Sequence, residues 1–201
     1  MLGTHRQRVA IDGRTGAGKT SFGHELAQCL SKAGRPVLRA GLDDFKRPWK
    51  DRHLYDRESA EGFYRNAYDY NRLIELLLQP AGRYGSGQCV LCSIDPVTQM
   101  DHSSIMTVAE TDAILIVDGQ FACRPEINDH WDFRVWLDVD PETSYRRGAA
   151  RNAQWLGSQA EVLQRLRYMA ADELYCAGVR PQDLADVRID NRTFDLPYFM
   201  D

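Results

Sequence analysis

Residues Gly13-Arg14-Thr15-Gly16-Ala17-Gly18-Lys19-Thr20 follow directly on the strand-like run Arg8-Val9-Ala10-Ile11-Asp12. The eight residues have the Gly-x4-Gly-Lys-Ser/Thr spacing of a phosphate-binding loop, placed between a strand and a helix as its mechanism requires. Gly13, Gly16 and Gly18 permit backbone conformations closed to residues with a Cβ, so successive N–H groups can turn inward around an anion. With Arg14, Thr15, Ala17 and Ser21 they make the expected nucleotide-binding set. Lys19 adds positive charge for the β- and γ-phosphates, and Thr20 offers a hydroxyl to Mg²⁺. The helix expected through Phe22, Leu26 and Leu30 points its positive dipole end at the same phosphates. The stretch predicts binding of a nucleoside triphosphate; the alternative is a Gly-rich turn ahead of an ordinary helix.

Composition fits that reading without sharpening it. The 201 residues, 43% of them hydrophobic, suit one compact domain over residues 1–201 with a small insertion. A net charge of −4 argues against general affinity for nucleic acid. No secretory leader or bilayer-spanning apolar run is present in the sequence, and the five cysteines read as cytosolic thiols, so a cytoplasmic protein with no membrane partner is expected. Cys89 and Cys92 form a C-x-x-C pair, but no second pair at zinc spacing completes a site, and in a strand they would face opposite sides. Structural burial is the better reading. The sequence is silent on whether copies form a homo-oligomer.

Outward from the loop, strand and helix patterns alternate. A second strand covers 36–42 and ends at Asp43-Asp44, and 45–62 reads as a long charged and aromatic loop. Helical spacing over 70–78 stops at Pro80. Residues 88–97 with 105–109 read as a small antiparallel excursion, giving a β-rich insertion at about 83–110. The run 113–117 is apolar on both faces, as a buried parallel strand should be. A fourth strand over 133–139, helices over 141–152 and 158–175, and a fifth strand over 186–190 complete the pattern. Such alternation implies an α/β fold, a parallel sheet between two helix layers with ligands at the carboxyl ends of its strands.

Acidic residues fall at those ends. Asp118 closes the most apolar strand, at the Walker B position, where a carboxylate reaches Mg²⁺ directly or through water; a turn-capping role is the alternative. Asp43 and Asp44 close the second strand, where a carboxylate could take the proton of an attacking hydroxyl, or the pair could cap the following loop. Asp138 and Asp140 are better explained as N-caps ahead of Pro141. Arg147 and Arg151, four apart, share a helix face and could clamp the triphosphate and neutralise the transferred group. Lys46, Arg47, Lys50, Arg52 and Arg57 would suit an anionic acceptor or form a solvated charged loop.

In order along nearly the whole chain, these pieces resemble the uridine kinase-like, phosphoribulokinase-related branch of the phosphate-loop kinases. The matching residues are the loop 13–20, Asp43-Asp44-Phe45, Phe63-Tyr64-Arg65 with Tyr68-Asp69-Tyr70, Ile116-Val117-Asp118-Gly119, Arg147 with Arg151, and 185–191. The resemblance implies a five-stranded parallel sheet, an arginine-bearing lid, and transfer of the γ-phosphoryl of ATP to a hydroxyl of a small metabolite. It also implies that Asp43 rather than Asp44 is the catalytic base, with Phe63, Tyr64 and Asp95 at substrate positions.

Departures from the family pattern fall on the acceptor side. Tyr64 stands where the nucleoside kinases have a ribose-binding Asp. The stretch 94–99 keeps Asp95 but lacks the two aromatics and the His that read a pyrimidine. Loss of those contacts predicts a poor pyrimidine-nucleoside kinase and leaves uridine, a phosphosugar, a pantothenate-like compound or another polyol open as acceptor. A GTPase is disfavoured because Asn-Lys-x-Asp is absent. A nucleotide-binding module or NTPase without kinase activity stays open.

Overall fold

The computed structural model describes residues 4–52, 55, 56 and 58–200, the side chain of Trp155 aside. Strand β1 (Gln7–Gly13) leads through the loop into helix α1 (Lys19–Lys32) and then β2 (Val37–Gly41). A minimal antiparallel pair follows, β3 (Gln88–Cys89) with β4 (Thr107–Val108). Strands β5 (Ile114–Asp118), β6 (Phe133–Asp138), β7 (Val187–Asp190) and β8 (Tyr198–Met200) complete the set. The main sheet runs β2-β5-β1-β6-β7-β8. Its first five strands are parallel, and β5, with every residue buried, pairs with both β1 and β2. The carboxyl ends of β1, β2 and β5 therefore lie side by side.

Alternation along β1 divides the core. Ile11 faces one side, with Ile116, Val135 and Leu137 beneath Phe22 and Leu26 of α1. Ala10 faces the other, with Leu115, Val117 and Trp136. That second layer holds α2 (Ala60–Asn66), α3 (Tyr70–Leu73, prolonged as a π-turn over Ile74–Leu78) and the short α4 (Pro125–Asn128). Phe121, fully buried, packs edge-on against Phe63, Tyr64, Tyr68 and Tyr175. Each such pair contributes about 0.5–1.5 kcal/mol beyond its buried area. The long α5 (Pro141–Leu156) leaves the sheet and the chain returns through α6 (Ala160–Leu163), a π-turn over Gln164–Met169, α7 (Ala170–Val179) and α8 (Pro181–Leu184).

Several expectations change. The sheet has six strands, because the chain turns after Asn191 and returns antiparallel as β8, held by Tyr198 Oη donating to Asp190 Oδ2 at 2.8 Å. Three residues are too few to carry a readable period. The loop expected over 45–62 contains a 3-10 turn at Trp49–Asp51 and the start of α2, whose cap Ser59 accepts from Gly62 N. The strand expected over 88–97 pairs only at Gln88 and Cys89, and residues 158–175 form two helices joined through the π-turn. Asp140 does cap α5, but Asp138 instead accepts from Trp136 Nε1 and pairs with Arg188. Cys89 is buried, Cys92 partly so, and both are free thiols.

Candidate active site

The loop after β1 is a rigid turn. Gly16 and Gly18 have φ of +70° and +92°, the left-handed region where a side chain is strained. A Cβ on Gly18 would also sit 2.8 Å from Asn191 Nδ2 and Phe194. Partners outside the loop fix its backbone: Asp172 Oδ2 accepts from Thr15 N at 2.8 Å, and Ser144 Oγ donates to Thr15 O at 2.7 Å. Asn191 Nδ2 donates to Ala17 O, also at 2.7 Å. Lys19 Nζ folds back to donate to the carbonyls of Gly13 and Arg14, both at 2.8 Å, and Ser21 is exposed in the first turn of α1. Burial lowers the Lys19 pKa, against the pull of Asp172 and Asp12.

Beneath the loop lies a second acidic set. Asp12 accepts from Gly13 N, Cys123 N and Tyr175 Oη, and burial raises its pKa. Burial likewise pushes Asp172 up to about 6, although Lys19, the Thr15 N–H and Gln120 all favour its ionised form. Sequence reading had not singled out Asp12 or Asp172. Asp12 lay in plain view, a charge in an apolar strand, whereas Asp172 joins only through the return of α7.

Asp118, 7% exposed at the end of β5, accepts a 2.6 Å hydrogen bond from Thr20 Oγ1 on Oδ2. Its Oδ1 is paired with Arg39 of β2, which also contacts His24 Nδ1 at 3.3 Å. A Thr hydroxyl and a carboxylate in contact are hard oxygen donors of the kind Mg²⁺ takes. Among the described residues no group of three or more His, Cys, Asp or Glu side chains is placed to hold a metal. Thr20 and Asp118 thus fit Mg²⁺ in the chemistry of their donor oxygens and are the residues that would hold it.

Next to Asp118, where the neighbouring strand β2 ends, a four-residue 3-10 turn (Leu42–Phe45) carries both candidate bases. Asp44 turns back to accept from Gly41 N at 2.8 Å, and burial raises its pKa. Asp43 projects into the cleft, where Oδ1 meets Lys46 Nζ at 2.9 Å and Tyr68 Oη at 3.1 Å. Enclosure works to raise the Asp43 pKa, but the charge and hydrogen bond of Lys46, with Tyr68, outweigh it and hold the group below its ordinary value. Asp43 is therefore a standing carboxylate, and its side chain is 62% exposed to the cleft.

The cleft, about 620 Å³, is lined by Lys19, Thr20, Asp118, Asp43, Asp44, Lys46, Phe63 and Arg151, with Arg39, His24, Gln120 and Tyr168 among residues not anticipated. Arg14 of the loop borders a separate cavity with Asp138 and Asp190, and three residues expected outside the loop also lie elsewhere. Arg147 donates to the carbonyls of Asn191 and Arg192 and covers the Phe194 ring at 4.1 Å, so the two arginines diverge. Tyr64 is packed between Phe121 and Tyr175 under the Arg124 guanidinium. Asp95 accepts from Val97 N and Thr98 N, stabilising its own turn. Of the basic cluster, Lys46 lines the cleft, Arg47 pairs with Asp69 at 3.8 Å, Arg52 is buried against Arg47 O, and Lys50 is exposed; Arg57 lies outside the described residues.

No curated protein matches this chain in sequence. Among solved structures, a "possible uridine kinase" from Bacillus stearothermophilus aligns over 94% of this chain and 90% of its own, with 24% identity and a TM-score of 0.71. A D-glycerate 3-kinase from Cryptococcus neoformans var. grubii aligns over 98% and 90%, with 15% identity and a TM-score of 0.60. At those identities the likeness is one of fold. The sequence model of the phosphoribulokinase / uridine kinase family matches residues 9–192, which takes in the loop, both candidate bases, Asp118 and the α5 arginines. This chain belongs to the phosphoribulokinase / uridine kinase family and is a small-molecule kinase.

Proposed function

We propose that this kinase moves the γ-phosphoryl of ATP to a hydroxyl of a small metabolite, with Asp43 as the base. The observation that carries the reading is the placement of an open, ionised Asp43 in the same cleft as Lys19, Thr20 and Asp118. Asp43 accepts the proton of the acceptor hydroxyl as its oxygen bonds to the γ-phosphorus and the bond to the ADP oxygen breaks. Lys19 leaves its two loop carbonyls to meet phosphate oxygens, and loop N–H groups with Arg151 stabilise the charge on the group in transit. Thr20 and Asp118 are the residues that would hold Mg²⁺, which would supply positive charge against the phosphate oxygens. Lys46 keeps Asp43 ionised and Tyr68 orients it. Arg147, stacked beside Phe194 next to the Gly18 backbone, is assigned to the nucleoside end of ATP rather than to the transferred phosphate.

The acceptor in this reading is a polyol or phosphosugar rather than a pyrimidine nucleoside. Support comes from Tyr64 and Asp95, both engaged away from the cleft, and from Lys46 and Arg151, which give it cationic walls. Acceptor-stimulated ADP formation across nucleosides, phosphosugars, hydroxy acids and pantothenate tests this. We expect stimulation by an anionic or polyhydroxylated compound, with uridine and cytidine below about 10⁴ M⁻¹s⁻¹ in kcat/KM, the low end of ordinary enzymes. Uridine or cytidine above that value would contradict the acceptor assignment, and ADP release indifferent to every acceptor would contradict the kinase chemistry.

A further inference from the structure

Arg39 is a charge in a strand whose neighbours are apolar, and nothing assigned so far requires it. From β2 its side chain crosses the first turns of α1 and ends on Asp118 Oδ1, with His24 Nδ1 at 3.3 Å. At the crossing, residue 23 is glycine. A Cβ there would meet the Arg39 guanidinium at 2.6–2.8 Å, inside any contact real side chains make. Gly23 is buried within a helix, where Ala is ordinarily preferred by about 1 kcal/mol, so the small residue keeps a passage open at the expense of helix propensity. With the Arg39 side chain only 20% exposed and Asp118 8%, the pair is screened little by solvent.

The cleft holds three neighbouring carboxylates, Asp43, Asp44 and Asp118. Asp44 is tied to a backbone N–H, and each of the other two has its own cation: Lys46 on Asp43 and Arg39 on Asp118. The two cations differ in where they sit. Lys46 is at the cleft wall, whereas Arg39 occupies one of the two oxygens of the carboxylate to which Mg²⁺ is assigned, leaving Oδ2 to Thr20.

We propose that Arg39 is a positioning residue that reserves Asp118 for nucleotide-borne metal. The inference rests on the Thr20–Asp118 metal assignment above. Pairing with a guanidinium removes most of the attraction Asp118 would exert on a free divalent cation and blocks Oδ1 as a direct ligand. The carboxylate is left to act through Oδ2, on the Thr20 hydroxyl and on metal-bound water. The site then takes its metal together with the triphosphate, whose oxygens supply the missing ligands and charge. An empty site does not fill with free Mg²⁺, which would order the carboxylate and Thr20 ahead of the phosphates.

The test is binding of Mn²⁺, a spectroscopically visible substitute, to the nucleotide-free protein by electron paramagnetic resonance, with circular dichroism as the fold control. Arg39→Gln should bind free Mn²⁺ at least tenfold more tightly than wild type, and Arg39→Lys, which keeps the charge, should stay near wild type. Gly23→Ala leaves the charge intact but pushes the guanidinium off Asp118, and should also tighten free Mn²⁺; it decides the matter if Arg39→Gln does not fold. Adding Asp118→Asn to either variant should abolish the gain. A folded Arg39→Gln that binds free Mn²⁺ no better than wild type overturns the proposal. Mn²⁺–ATP binding that weakens in Asp118→Asn would keep the metal assignment even then, and Mn²⁺–ATP binding indifferent to Asp118 would remove both.

Discussion

The two walls of the cleft are built by different means. The proposed phosphate wall is over-determined: its loop is tied from outside by Asp172, Ser144 and Asn191, and Thr20 is hydrogen-bonded to Asp118. Most of those partners are buried, in surroundings where a satisfied hydrogen bond is strong and a broken one costly. The acceptor wall stands on short, open pieces. Asp43 rides a single 3-10 turn, the nearby antiparallel pair has two residues per strand, and Asp95 spends its carboxylate on its own backbone. A wall of the first kind presents a preorganised field to an invariant ligand, whereas one of the second kind can be reshaped around different acceptors without disturbing the sheet.

That contrast can be broken by experiment. Lys19→Ala should show the largest effect, a loss of at least about a thousandfold in turnover with the fold intact. The two loop carbonyls that Lys19 serves can turn to water in its absence. Steady-state ADP formation beside circular dichroism checks this; near-normal turnover in a folded variant would remove the phosphate wall from the mechanism.

A second test concerns the stability of the same wall. Because the Asp172 pKa is raised to about 6, the folded protein binds more protons than the unfolded chain between the ordinary carboxyl range and pH 6. Stability contributed by this group is therefore full at acid pH and is lost as pH rises through that window. Asp172→Asn should remove the decline, gaining about 1–3 kcal/mol over wild type at pH 7 and little at pH 4. Urea melts at several pH values measure it, and a difference from wild type that is flat with pH would contradict the assigned ionisation.

The smallest effect is expected on the acceptor side. Asp95→Ala loses two turn hydrogen bonds at an exposed site, and kcat/KM should change by less than about threefold. A collapse of kcat/KM for the best acceptor would place Asp95 in the site after all.

What could be read in the sequence follows the same division. The loop 13–20 and the all-apolar run ending at Asp118 carry local patterns with one physical explanation each, and the five parallel strands came with them. Asp43 was distinguishable from Asp44 only by resemblance; the structure adds that Asp44 turns back to Gly41 while Asp43 meets Lys46. Arg39, Tyr168 and Asp172 join the site through tertiary packing alone. Tyr64 shows the converse: its position in the motif suggested the substrate side, whereas in the structure its ring packs against Phe121 and Tyr175 under Arg124. Strand β8, only three residues long and directly after Pro197, has no period to read.

The most direct test is the single-turnover rate of phosphoryl transfer from ATP to the best acceptor in Asp43→Asn beside Asp44→Asn. We expect Asp43→Asn to slow the chemical step by at least about a hundredfold with ATP binding unchanged, since only the proton acceptor is lost. Asp44→Asn, which retains an oxygen for Gly41 N, should stay within about threefold of wild type. A normal rate in Asp43→Asn together with a collapsed rate in Asp44→Asn would contradict the assignment of the base, and with it this account of the acceptor wall.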